Sequence, residues 1–248
     1  VRFSEAQEVL PSAFEGIWST TVTAITHPDW TIDDLFACNC TRETYEYLDQ
    51  LLHDPANDHL SAADIQQAIR GRNLAAIEGL FTETAKEYAL TYDHADDPSI
   101  QCEYFGAFRT VLHNDPILIE QYEDHISIKG EDMTSDRIIY TDGRSHPENE
   151  TPSPLGHSIG WYEGSTLVVE TINVSANIAE DNLPIHNSDE ASSIERYTRS
   201  EDGSRLHMEF TLIDPVMFNE PLILERTRLL TLEVDLLDAP CESISGEF

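Results

Sequence analysis

A mainly β fold, an antiparallel barrel or sandwich with an α-helical segment near its N-terminus, is predicted by three observations. From about residue 104 onward, apolar and polar residues alternate with period two in six or more runs. Short acidic or glycine turns separate those runs: Glu123-Asp124, Asp142-Gly143, Glu163-Gly164-Ser165 and Glu201-Asp202-Gly203-Ser204. Between residues 42 and 90 the apolar residues recur instead at helical spacing.

In chain order, Phe14-Glu15-Gly16-Ile17-Trp18 and the β-branched run after it predict an opening strand over 14–26. Tyr45, Leu48, Leu51 and Leu52 share a helical face, and Asp54-Pro55 stops that helix. Ser61-Ala62-Ala63-Asp64 is an N-cap for a second helix, through Ile65, Ala68 and Ile69 to Gly71. Leu74, Ile77, Leu80 and Phe81 form the stripe of a third. These stripes read as packing faces rather than a ligand box. A polar loop at 93–98 closes the helical block. Then come a hairpin over 117–122 and 125–128, a strand over 137–141, a hairpin over 157–174, and strands over 193–199, 206–213 and 222–236. The proline-rich stretch from Pro147 to Pro154 is a loop inside this sheet, so 1–248 reads as one domain, with 42–90 as a helical insertion or cap.

Composition narrows the partners. Forty-seven acidic against fourteen basic residues leave a formal net charge of −33, which repels nucleic acid and anionic membranes. The charge is spread along the chain, as on a well-hydrated surface suited to a salt-rich habitat. No run approaches the roughly 18–20 apolar residues of a membrane span. The chain opens at Val1 without a basic leader, which is expected of a processed, exported protein. Four cysteines stand at 38, 40, 102 and 241, with no CxxC or zinc-finger spacing. In an exported chain they read as disulfides. Cys102 pairs with Cys241 across a long loop, and Cys38 and Cys40 pair locally or each with one of the others. Four reduced, buried thiols are the competing reading.

Three blocks carry a resemblance: the run from Arg137 through Tyr140, Asp142, Gly143, Arg144 and His146 to Pro147; the run from Gly156 through His157, Ser158, Gly160 and Trp161 to Thr171; and Glu195-Arg196. Together they resemble a family of exported bacterial β-rich proteins with the pattern R-x-I-Y-x-D-G-R-x-H-P, G-H-S-x-G-x-W-E-G-x-T-L-V-V-x-T and a later E-R. The resemblance spans roughly residues 100 to 241. It implies a lipocalin-like body and small-molecule binding or turnover. This chain departs at Tyr162, where the family has Trp, and at Ser165, where it has Asp. The helical block at 42–90 is not part of the pattern.

The polar residues of these blocks are the candidates for chemistry. His157 and Glu170 sit on the two arms of one hairpin, and His146 just past the preceding strand. His186 sits in a later loop, and Glu195 starts the next strand with Glu195 and Tyr197 on one face and Arg196 on the other. Three readings stand side by side. In the first, His146, His157 and His186 bind one transition metal ion, although no HxH or HExxH is present. In the second, His157 is a proton carrier oriented by Glu170 or Glu195, suited to isomerase, lyase or hydrolase chemistry; with a metal, an oxygenase is the counterpart. In the third, the same residues are structural, with Glu195 paired to an arginine such as Arg144, Arg196 or Arg226. Ser158 cannot form a nucleophilic dyad with His157, because adjacent strand residues face opposite ways. His27, His53, His59, His94 and His113 read as solvated.

The leading expectation is a barrel enclosing a small, mostly apolar molecule, with Tyr140, Trp161 and Tyr197 as aromatic walls, Arg144 nearby, and His146 and His186 at the mouth. The alternatives are a non-catalytic carrier and a self-assembling homo-oligomeric subunit.

Overall fold

Nine strands close on themselves into a barrel, and a separate two-stranded ribbon stands beside it. The computed structural model describes residues 13–20, 38–93, 95, 97–103, 105–131, 136–180, 185–231 and 235–236. The strands are β1 (Gly16–Ser19), β2 (Ile117–Gln121), β3 (His125–Gly130), β4 (Arg137–Tyr140), β5 (His157–Glu163), β6 (Thr166–Ile172), β7 (Asn177–Glu180), β8 (Ile185–Asn187), β9 (Ser192–Arg199), β10 (Arg205–Ile213) and β11 (Leu222–Thr231). The helices are α1 (Arg42–His53), α2 (Ala62–Glu78), α3 (Glu83–Thr91) and α4 (Ala107–Leu112). Around the wall the order is β1-β11-β10-β9-β6-β5-β4-β3-β2, and the ribbon is β7-β8.

Alternation decides what fills the barrel. Ile126 and Ile128, Ile139, Leu167 and Val169, and Met208, Phe210 and Leu212 are buried two residues apart along their strands, with Ser127 and Val168 between them buried as well. Helix α4 is wholly buried, and its Phe108 meets the inward Phe210 edge-to-face at 5.6 Å. Arg226 and Arg228, inward residues of β11, donate to carbonyls at the end of α4, from Arg226 to Leu112 at 2.8 Å and from Arg228 to His113 at 2.7 Å. Cations at a helix C-terminus complete its unpaired carbonyls and suit its dipole. A smaller core of Leu48, Ile65, Ile69 and Cys40 holds α1 and α2 together. Among the described residues, no helix is long and apolar enough to cross a membrane.

Several expectations are corrected. The second and third predicted helices are one, α2, which runs through Gly71. Its buried stripe of Ile65, Ile69, Asn73 and Ile77 continues past the glycine, whose cost of about 1 kcal/mol is too small to break the helix. The run after residue 104 begins with a helix, not a strand. Residues 177–180 and 185–187 are strands, so His186 is not in a loop. The wall is not purely antiparallel either, because β4 and β5 run parallel. Cys38 and Cys40 are paired with each other. Cys102 is also disulfide-bonded, while Cys241 lies outside the described residues, as do His27, His94 and positions 21–26 of the opening strand.

Candidate functional site

The parallel pair creates the site. Antiparallel neighbours are joined by tight turns, but parallel ones need a return connection along the length of the strands. Residues 141–156 make that return on the outside of the wall. The connection turns at Gly143, whose φ is +81°, and ends at Gly156, whose φ is +57°. A Cβ at Gly156 would lie 2.4 Å from the Ile172 carbonyl oxygen, so only glycine lets the chain enter β5 this close to the end of β6. The return carries Arg144 and His146 over strand residues that alternation has turned outward.

Those residues are Tyr140, His157 and Glu170, whose neighbours Ile139, Ser158 and Thr171 are buried inside. The register pairs Tyr140 with Ile159, Ile159 with Glu170, and His157 with Ile172, so one outward patch spans β4, β5 and β6. Here His146 Nδ1 lies 2.8 Å from His157 Nδ1, with the rings crossed at 72°. His146 Nε2 lies 3.4 Å from Glu170 Oε2. That is close enough for electrostatic attraction, yet the geometry makes no hydrogen bond, and Nε2 is buried without one. Tyr140 stacks on His157 with centroids 5.3 Å apart, and the Arg144 guanidinium sits 3.7 Å over the Tyr140 ring, held by Asp142.

The Glu170 carboxylate 3.4 Å away electrostatically favours the His146 tautomer protonated at Nε2, whose Nδ1 accepts. In that pairing His157 donates from Nδ1, which leaves its Nε2 lone pair free. Among the described residues that nitrogen has no hydrogen-bond partner, and His157 is partly exposed. Partial burial lowers the pKa of His157, the adjacent His146 and Arg144 lower it further, and Glu150 opposes them. His157 is therefore neutral near pH 7, with a basic nitrogen presented outward.

The other candidates are placed elsewhere. Glu195 is inside the barrel, on the opposite side of the wall from the histidines. Arg137 of β4 clasps it with bonds of 2.7 and 3.0 Å, Tyr197 donates to it at 2.6 Å, and Ser193 at 3.1 Å. The same guanidinium donates to Thr171 and Ser158 at 2.6 and 3.2 Å. Sequence reasoning missed Arg137 as the partner, although it opens the first block of the resemblance, and Glu195 pairs with none of Arg144, Arg196 or Arg226. Burial beside Glu195 pushes the Tyr197 phenol far above its ordinary range. Trp161 faces outward but further along β5, where it donates to Glu163 at 3.2 Å.

His186 lies on β8 between Tyr88 and Tyr92 of the α3 region, at ring separations of 5.3 and 5.0 Å. The three expected metal ligands are thus not gathered in one shell. Among the described residues, no three or more His, Cys, Asp or Glu side chains are placed to hold a metal ion. Glu170 approaches the far nitrogen of His146, away from the paired Nδ1 atoms. Comparison with known proteins finds no matching family model, curated protein or solved structure.

Proposed function

We propose that this is an exported, lipocalin-like barrel protein whose outer wall carries a proton-transfer site for a small, mostly apolar molecule. The observation that carries the reading is the His146–His157 imidazole pair beside the Glu170 carboxylate, which leaves His157 Nε2 without a hydrogen bond among the described residues. Ile159, Ile172 and the Tyr140 ring give the same patch an apolar surface beside the base. In this arrangement His157 Nε2 takes a proton from a bound substrate, or from water attacking it. His146 and the Glu170 carboxylate then stabilise the imidazolium that forms. Isomerisation, elimination and hydrolysis all need that step. The site lies on the wall rather than in the lumen, where the Arg137–Glu195 clasp occupies the inward positions of the same strands.

Hydrolysis of p-nitrophenyl acetate tests the base directly. Wild-type rates should rise through one ionisation on the acid side of the ordinary imidazole range, and His157→Gln should lose at least about tenfold. His186→Gln should retain full activity. Equal rates in wild type and His157→Gln would sink the reading.

A further inference from the structure

The segment Cys38-Asn39-Cys40 plays no part in the proton-transfer site, yet it gathers bonds from across the fold. The Asn39 side chain donates to the Leu112 carbonyl at the end of α4 at 2.7 Å and to Glu180 of β7 at 3.3 Å. Its own carbonyl accepts from Asn73 of α2 at 2.8 Å, and Asn73 in turn accepts from the Thr41 amide at 2.9 Å. Cys40 pairs with Glu225 of β11 in both directions, at 3.2 and 2.7 Å. Tyr45 of α1 donates to the Cys38 carbonyl at 2.9 Å. Helices α1, α2 and α4 and strands β7 and β11 therefore meet on one tripeptide, and the Cys38–Cys40 disulfide closes a ring around it.

A disulfide across one residue contributes little loop-closure entropy, because its cysteines stay together in the unfolded chain. By the same thermodynamic cycle, loop closure on folding does little to hold the bond shut. Its use must lie in geometry, in fixing the backbone that aims Asn39. Cys38 is partly exposed, whereas Cys40 is buried beside Thr41, the N-cap of α1. We propose that Cys38–Cys40 is a redox clasp that fixes the helical block to the barrel. A dithiol reductant attacks Cys38 Sγ, and Cys40 leaves as a thiolate at the amino end of α1, where such a charge is favoured. The second thiol of the reductant then displaces Cys38, so two electrons and two protons pass to the cysteine pair and the reductant becomes a disulfide. The opened tripeptide no longer holds Asn39 in place, and α1 and α2 loosen while the wall stays closed.

The full-length chain is titrated with dithiothreitol, trapped with iodoacetamide, and followed by mass spectrometry together with amide hydrogen exchange. Cys38 and Cys40 should be alkylated at lower reductant than Cys102. Residues 42–78 should then exchange at least about tenfold faster, with β9 to β11 unchanged. Asn39→Ala, with the disulfide intact, should reproduce that faster exchange without reductant. The clasp is refuted if reduction leaves exchange at 42–78 unchanged, if Cys38 and Cys40 open only with Cys102 and global unfolding, or if Asn39→Ala exchanges like wild type.

Discussion

Two imidazoles in this protein have pKa values lowered for related reasons. His157 is lowered by partial burial and by the His146 ring, and His186 chiefly by burial against Tyr88 and Tyr92. A histidine with a depressed folded pKa makes the unfolded chain protonate first as pH falls. Its stabilisation is therefore complete above the ordinary imidazole range and is lost as pH drops from that range toward the folded value. The melting temperature should fall less steeply between about pH 7 and about pH 5 in His186→Phe than in wild type. Parallel slopes would contradict the assignment. At Gly156, alanine must both take a positive φ and displace the Ile172 carbonyl, so Gly156→Ala should destabilise by about 1–3 kcal/mol in urea titration. It should also perturb the His157 ring resonances, because His157 is the next residue. The sequence marked His146, His157 and Glu170 as candidates, since motif spacing and the hairpin place them close. It did not settle their face. Alternation separates His157 from Ser158 but leaves open which of the two is inside, and the lumen clasp that answers this joins β4 to β9, strands that are not neighbours in the wall.

At the scale of elements, that clasp ties the parallel seam to the far side of β6. Arg137 reaches across the lumen to Glu195 and touches Ser158 and Thr171 on the two strands between. Removing one partner leaves a buried charge uncompensated, so Arg137→Met should cost about 3–5 kcal/mol in denaturant unfolding. Arg137→Met with Glu195→Met should recover part of that loss, and a double variant no more stable than the single would show that the clasp is not the main partner. Glu195→Gln should leave ester hydrolysis at the outer site unchanged, because the wall separates the two. The strands were legible because a barrel that buries one face imposes period two on every stave. Helix α4 was not legible, since a helix buried on all sides has no polar face to give it a period. The parallel pairing was hidden as well, because a strand's alternation is the same whichever way its neighbour runs.

For the molecule as a whole, a net charge of −33 on 248 residues means that folding gathers like charges into a small volume. Raising salt from about 0.01 M to about 1 M shortens the screening length from about 30 Å to about 3 Å, so the melting temperature should climb markedly with sodium chloride. A flat or falling curve would mean that local ion pairs outweigh the repulsion. Closure of the barrel has a temporal side too. Strand β1 pairs with β2 on one flank and with β11 on the other, with Ile17 opposite Thr231. On the ribosome, the first of these strands waits for the last before the circle can shut, exposing an unpaired edge throughout synthesis. A nascent chain halted before residue 222 lacks β11, which leaves the edges of β1 and β10 that it pairs with uncovered.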